Sequence, residues 1–598
     1  MILPELKEGR SIRYPISQFM GYNNSERCSE AEGYDEVNIS SDYYPLLTPR
    51  SRRVIVESGI AGLKGLHVND GLIEIKQDSN EIDNVLFYEG ERIDQLPGTG
   101  RRQMCSMGAY VIIYPDKYRF NTKDKTLESL GASYSTASTV TFTPCTMDGT
   151  TINPTVSSTE PANPTNGQYW LDTSTTPNSL MQWSDSQGMW NAIATSYVKI
   201  SATNIGKNFN KLDVVAISGV TGTYAETFNT DMAIWDKNDN QIVVTALISA
   251  VFTNSGISIV RNIPDLDFIC EHDNRIWGCN SEKHEVYGSK IGDPTNWYSY
   301  LGTAADSYAA TVGTDGDFTG CAAHGGSVIF FKERFIHKLY GTAPSNYQLD
   351  TKPERGIQKG CHDSVGLISG VLFYKAVDGV VRYEGSYPTL ISKNLGQTAY
   401  GEAIAGVWNG VYYVAMKDKT GTQKLFTFNT SNGLWHVEDS PSNVEFMTEY
   451  ENRLLMFDNR RNMLIAAGDD TKIGQTTYSI DPAPLLWERT FGIVGIDTSP
   501  NTDPNFKYVS QVLIRFYMEL DATFKVEVEY DSLGEWETIC DIKNKYEFSR
   551  KDTQSFSNLR SMEIPFIPKR CDHMRIRISG SGYAKIFSIT KKIEGGGL

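Results

Sequence analysis

The 598-residue chain reads as an all-β protein: a β-propeller of six to eight blades with an inserted small β module and a C-terminal β-sandwich-like domain. Three observations predict this. Aromatic residues and glycine are plentiful, Tyr 32, Phe 25 and Gly 51, while stretches with helical period are scarce, a mix that suits strands. A unit made of a short polar turn and a run of apolar, β-prone residues recurs every roughly 40–50 residues, the spacing of propellers and other repeat arrays. Beyond residue 480 the pattern changes to strict apolar–polar alternation, the mark of half-exposed antiparallel strands.

Taken in order, residues 1–60 are polar and irregular and end in Asp42-Tyr43-Tyr44-Pro45-Leu46-Leu47-Thr48-Pro49-Arg50-Ser51-Arg52-Arg53. Two prolines in an apolar stretch predict an extended N-terminal arm rather than a helix or a central strand. The arm could lie on its own propeller or on a neighbour, and Arg50, Arg52 and Arg53 are candidates to pair with an acidic surface. The propeller is assigned to 61–130 and 261–475. Its first copies are Asp70-Gly71-Leu72-Ile73-Glu74-Ile75 and Gly108-Ala109-Tyr110-Val111-Ile112-Ile113-Tyr114. Later copies begin at Asn274-Arg275-Ile276-Trp277, Gly326-Ser327-Val328-Ile329, Gly370-Val371-Leu372-Phe373, Asn409-Gly410-Val411-Tyr412 and Asn452-Arg453-Leu454-Leu455. Each shows at least two strong strands of the four that make a blade.

The repeat breaks between 131 and 260, several times the usual spacing. Trp170, Trp183 and Trp190 fall in this insert among turn residues and predict a small β module. They are expected to form its core, or, if exposed, to stack on sugars. The C-terminal domain spans 480–598. There Lys525-Val526-Glu527-Val528-Glu529-Tyr530, Arg575-Ile576-Arg577-Ile578 and Lys585-Ile586-Phe587-Ser588-Ile589 alternate, and Gly595-Gly596-Gly597-Leu598 reads as a flexible tail.

The net charge of −16 does not suit a protein that grips nucleic acid, because phosphate binding needs basic clusters. Solubility alone accounts for such a charge, and it is compatible with a protein that DNA slides past without sticking. Nine cysteines are spread thinly with no CxxC pair, and the first eight residues lack the order of a signal peptide, so free thiols and manufacture in a reducing cytoplasm are expected. No apolar run reaches membrane-spanning length.

Motifs that carry chemistry are incomplete along the chain. Asp185-Ser186-Gln187-Gly188-Met189-Trp190, Ser431-Asn432-Gly433-Leu434-Trp435 and Asp531-Ser532-Leu533-Gly534-Glu535-Trp536 only loosely match the S-x-D-x-G-x-T-W turns of sialidase-type propellers. Cys270, His272, Cys279 and His284 fit no compact zinc spacing. Asp236-Lys237-Asn238-Asp239-Asn240 opens like a calcium loop but has Gln241 where glycine is needed. Asp315-Gly316-Asp317 could form a looser calcium site but reads more readily as a solvated turn. Phosphate loops, dinucleotide fingerprints, HExxH and GxSxG are absent from the sequence. No cofactor, metal or catalytic residue is expected, and the chain is read as a non-enzyme.

One stretch carries a resemblance. Asn274-Arg275-Ile276-Trp277-Gly278, then Glu285-Val286-Tyr287-Gly288-Ser289-Lys290-Ile291-Gly292-Asp293-Pro294-Thr295-Asn296-Trp297, resembles the β-propeller tail hub or nozzle proteins of short-tailed phages, including the packaged-DNA stabilisation proteins. Phe331-Lys332-Glu333 leading to Ile336-His337-Lys338-Leu339-Tyr340-Gly341, and Cys361-His362-Asp363-Ser364-Val365 with Gly379-Val380-Val381-Arg382-Tyr383, are similar to the following blades of that family. The 42–53 arm and residues 564–573 also look like parts of such proteins. The resemblance is best over about 265–400, and the insert departs from the simplest members.

The resemblance implies a structural virion protein of the phage tail. Such proteins form rings, often hexameric, below the portal and adaptor, with distal tail or fibre proteins beyond. They enclose the channel through which double-stranded DNA leaves, without specific binding, and help retain and release the genome. Two alternatives stand beside it: a receptor- or glycan-binding tail protein, and a propeller glycan hydrolase.

Overall fold

The computed structural model describes residues 11–439, 443–467, 485–494, 507–519, 521–543, 559–565 and 567–595. The opening residues 1–10 and the tail residues 596–598 lie outside these. Among the described residues the single α-helix is the one-turn segment Ala225–Phe228; nearly everything else regular is strand. The chain divides into two compact units, one of residues 1–95, 331–336 and 352–598, the other of 96–330 and 337–351.

Seven four-stranded sheets follow one another and form the blades of a β-propeller. Blades 1 to 7 cover 65–95, 103–129, 268–311, 318–352, 366–390, 400–438 and 444–467. The last supplies only three strands itself. Its fourth is Val54–Ser58, which pairs antiparallel with Met463–Ala467. Within the first unit the opening strand of blade 7 packs beside that of blade 1, and Phe446, Leu455 and Phe457 share a core with Leu66 and Leu72.

The repeat seen in the sequence has a definite structural meaning. In blades 3 to 7 its polar turn is a two-residue hairpin loop with both residues at positive φ: Asp273 (52°) and Asn274 (58°), Gly325 (55°) and Gly326 (70°), Ser369 (49°) and Gly370 (81°), Asn409 (49°) and Gly410 (73°), Glu451 (50°) and Asn452 (58°). That geometry matches the right-handed twist of the strands it joins. The apolar run after each turn is the second strand of a blade, flanked on both edges and covered on both faces. Arg275–Asn280 and Ser327–Lys332 are buried along their whole length, which is why they read as continuous rather than alternating.

The insert enters and leaves through two adjacent antiparallel strands, Ala132–Thr136 and Ile257–Arg261, between blades 2 and 3. Arg261 fastens this neck by an ion pair to Asp213 at 2.6 Å and a bond to the Leu130 carbonyl at 2.9 Å. Beyond it lie an eight-stranded sheet around Phe142, Ile200, Phe228, Ile234, Val244 and Ile259 and a separate four-stranded sheet over 155–192.

The C-terminal segment forms two sheets over one core, which includes Val512, Ile514, Phe516, Phe524, Val526, Val528, Ile576, Ile578 and Ile586. Each sheet takes an edge strand from the N-terminus. Ser11–Ile16 pairs with Ala584–Gly595, and Gly33–Val37 pairs with Leu486–Phe491. The first 60 residues, expected as an extended arm, thus give one strand to each C-terminal sheet and one to blade 7. Unpaired sheet edges are costly to leave exposed, and their partners lie more than 400 residues away in sequence.

Candidate interaction surfaces

The three arginines of the arm have separate fates. Arg50 and Arg53 are buried at 5% and 2% exposure. Arg50 Nη2 donates to Asp439 Oδ1 at 2.7 Å and its Nε to Asn38 Oδ1 at 2.7 Å, while Arg53 Nη2 donates to Glu438 Oε2 at 2.8 Å. Glu438 ends the outer strand of blade 6, so the acidic surface these two meet belongs to their own chain. Arg52 stands by Glu519, whose carboxyl is pushed up by burial and drawn back by Arg52 and Lys585.

A second ionic cluster continues this seam. Glu36 accepts from Arg489 Nη1 at 2.9 Å and sits 2.8 Å from His436 Nδ1; the Glu36 and Arg489 side chains are both 0% exposed. Arg489 Nη2 also donates to the Ala31 carbonyl at 3.0 Å and to that of Met20. Gly33 is required beside it, because a Cβ there would stand 2.6 Å from Glu36 Oε2. Lys591, buried and held below the ordinary lysine range by that burial, pairs with Glu30. Blade 6, the N-terminal segment and the C-terminal sandwich are therefore stitched together by charges that were taken out of water only in pairs, as burial demands.

The three tryptophans of the insert meet in the four-stranded sheet. Trp170 and Trp190 are buried and Trp183 is half-buried. Trp190 is edge-to-face with both partners, at 5.4 Å and 5.5 Å between ring centroids. Trp170 Nε1 donates to the Ser157 carbonyl and Trp183 Nε1 to Asp185 Oδ1. Their contacts are with one another, which is the work of a small core.

Residues 289–297 of the stretch that carries the phage-tail resemblance open the loop 289–307 of blade 3. Arg275, 1% exposed, reaches through it and donates to the carbonyls of Ser289 at 2.7 Å, Ala304 at 2.8 Å and Asp306 at 2.5 Å. Gly292, at φ 70°, turns the chain so that its N–H reaches the Asn274 carbonyl at 2.7 Å. Asp293 Oδ1 accepts from the Thr295 backbone N–H and hydroxyl. Trp297 is buried against Leu266, Ile269, Ile276 and Tyr287 and donates to the Pro294 carbonyl. Asn296 Nδ2 donates to Leu212 at the base of the insert, 2.6 Å away. The loop then presents Ile291, Tyr300 and Leu301 to solvent, at 45%, 57% and 39% exposure. No turn signal in the sequence marks these three, because their exposure depends on how Arg275 draws the loop in.

The Cys270, His272, Cys279 and His284 group disperses. Cys270 and Cys279 pack in one core with Cys321, and His272 pairs with Asp273. Burial holds the Cys105 and Cys321 thiols well above their ordinary range. All nine cysteines are free thiols, and no group of three or more His, Cys, Asp or Glu among the described residues is arranged to hold a metal ion. Among the same residues no helix is long and apolar enough to cross a membrane.

No protein-family model matches the chain, and no curated protein matches it. Among solved structures it is similar to BamB from Moraxella catarrhalis, at 8% identity and a TM-score of 0.29, over 70% of this chain and 100% of that one. Raptor from Chaetomium thermophilum matches at 8% identity and a TM-score of 0.29, over 71% of this chain and 29% of that one. Sqt1 from Saccharomyces cerevisiae matches at 9% identity and a TM-score of 0.28, over 70% and 100%.

Proposed function

We propose that the chain is a non-enzymatic structural subunit of a phage tail, the hub or nozzle ring below the portal and adaptor that surrounds the exiting DNA. The observation that carries this reading is the loop over 289–307. Its first residues, 289–297, belong to the stretch resembling the tail family, and it leaves Ile291, Tyr300 and Leu301 exposed while Arg275 holds its carbonyls. A cyclic assembly needs such a face, since each copy presents one surface to a different surface on the next. The charge of −16 adds support, because an acidic wall repels DNA phosphate. Copies of the chain, portal and adaptor proteins above and distal tail proteins below are the partners this implies.

Light scattering and negative-stain imaging of the purified chain test it. A closed ring of identical copies is expected, and Tyr300→Asp with Leu301→Asp is expected to return it to monomers of unchanged secondary structure. A strictly monomeric protein that is absent from virions overturns the proposal.

A further inference from the structure

A different face of the insert carries a built groove. In the eight-stranded sheet, Asp231–Asn238 pairs with Gln241–Thr245, and the register slips between Ile234 and Asp236. Trp235 is the extra residue of this bulge. Ile234 is in the core at 0% exposure, whereas Trp235 is left out of it. Met232 and Ile234 face the core and Ala233 and Trp235 face away from it, so Trp235 stands on the outward side of its strand where the bulge begins; bulges recur beside binding sites. Trp235 is held by Tyr197, edge-to-face at 6.1 Å. Trp235 is half-buried on that outward face.

Trp235 lines a groove of about 510 Å³ together with Thr146, Met147, Asp148, Thr150, Lys211 and Asp236. That volume lies within the range of small-molecule sites. The far wall is a fixed turn. Thr146 N–H donates to the Thr150 carbonyl at 2.9 Å, Asp148 Oδ1 accepts from Thr150 N–H at 3.1 Å and from the Thr146 hydroxyl, and Lys199 pins the turn through the Gly149 carbonyl and the Thr151 hydroxyl at 3.1 and 2.6 Å. Lys211 pairs with Asp236. The groove thus offers one aromatic face, two carboxylates, one ammonium and two hydroxyls.

We propose that this groove binds a neutral sugar. A pyranose has an apolar C–H face that stacks on an indole and a rim of hydroxyls that donate to carboxylates and accept from lysine. The carboxylates outnumber the ammonium two to one, which disfavours acidic sugars. Both carboxyls ionise below the ordinary aspartate range, Asp148 through hydrogen bonds from Thr146 and Thr150 and Asp236 through Lys211, so both are acceptors at neutral pH. The assignment is independent of the ring reading, since the groove lies wholly within the insert.

The test is indole fluorescence and saturation-transfer NMR of the full chain against neutral oligosaccharides of glucose, galactose, mannose and N-acetylhexosamine, with sialyllactose and choline as charged probes. Binding of at least one neutral sugar is expected. Trp235→Ala should weaken it by about tenfold or more, the scale for losing a stacked aromatic contact, and Asp236→Asn should weaken it too. Trp183→Phe, at a residue that does not line the groove, should leave it unchanged. No binding of any neutral sugar, binding of choline or sialyllactose alone, or neutral-sugar binding that survives Trp235→Ala with the domain folded would each overturn the proposal. Far-ultraviolet circular dichroism confirms folding, and Trp235→Leu serves if the alanine variant fails it.

Discussion

Replacing Arg275 by alanine tests the link between the 274–297 motif and assembly. The wild-type guanidinium serves the carbonyls of Ser289, Ala304 and Asp306, all inside blade 3. Removing it leaves these three acceptors without a donor where burial or the tightness of the turn limits access by water. A hydrogen bond involving a charged group contributes about 1.5–3 kcal/mol. The truncation also leaves a cavity, but no uncompensated charge, because Arg275 faces carbonyl dipoles here. Partial relaxation of an exposed loop offsets part of the sum, so a loss of about 3–5 kcal/mol is expected, concentrated locally. Hydrogen exchange followed by mass spectrometry reads this directly: peptides over 289–307 should lose protection while those of blade 6 keep theirs. Arg275→Lys should fall between, since a single ammonium cannot span the carbonyls that the planar fork reaches. Ring formation should fail in proportion to loop exchange. Wild-type protection over 289–307 in Arg275→Ala would refute the clamp, and intact rings formed with a mobile loop would separate the clamp from assembly.

Three further outcomes follow from the geometry. Glu36→Gln leaves the fully buried Arg489 charge unneutralised and should cost about 3–5 kcal/mol by urea denaturation, with Arg489→Met added to it recovering much of the loss. Burial pushes the Glu527 carboxyl up, but hydrogen bonds from Lys525 and Arg577 outweigh it and hold the group below the ordinary glutamate range. Its folded-state value being depressed, the stabilisation is complete above the unfolded value of about 4.3 and is lost as pH falls through the folded one. The difference in urea midpoint between wild type and Glu527→Gln should therefore be constant at neutral pH and vanish in acid. Finally, Trp190→Ala should destabilise the 155–192 sheet by about 3–5 kcal/mol, read as proteolytic nicking within that sheet, because it removes the ring that both Trp170 and Trp183 pack on.

The propeller repeat, the insert and the alternating C-terminal strands are all legible in the sequence, for a local reason. A two-residue loop with both residues at positive φ selects Asn, Asp and Gly, and a doubly covered strand selects continuous apolar residues, so each hairpin writes its own signature within about ten positions. The absence of a metal or nucleotide motif is likewise a matter of spacing along the chain. Tertiary structure decided what depends on distant pairing. Val54–Ser58 completes blade 7, and Gly33–Val37 joins a sheet built mostly from residues beyond 485; edge strands have no local code for their partners. The same holds for the surfaces. Arg50 and Arg53 are as basic in sequence as any surface arginine, yet Glu438 and Asp439 bury them. Trp170 and Trp190 turn inward while Trp235 falls on the outward side of the alternation that buries Met232 and Ile234, a choice set by which face of that strand the core covers. Composition chose the fold; which face of a strand the core covers and the reach of one buried arginine chose which residues it shows to solvent.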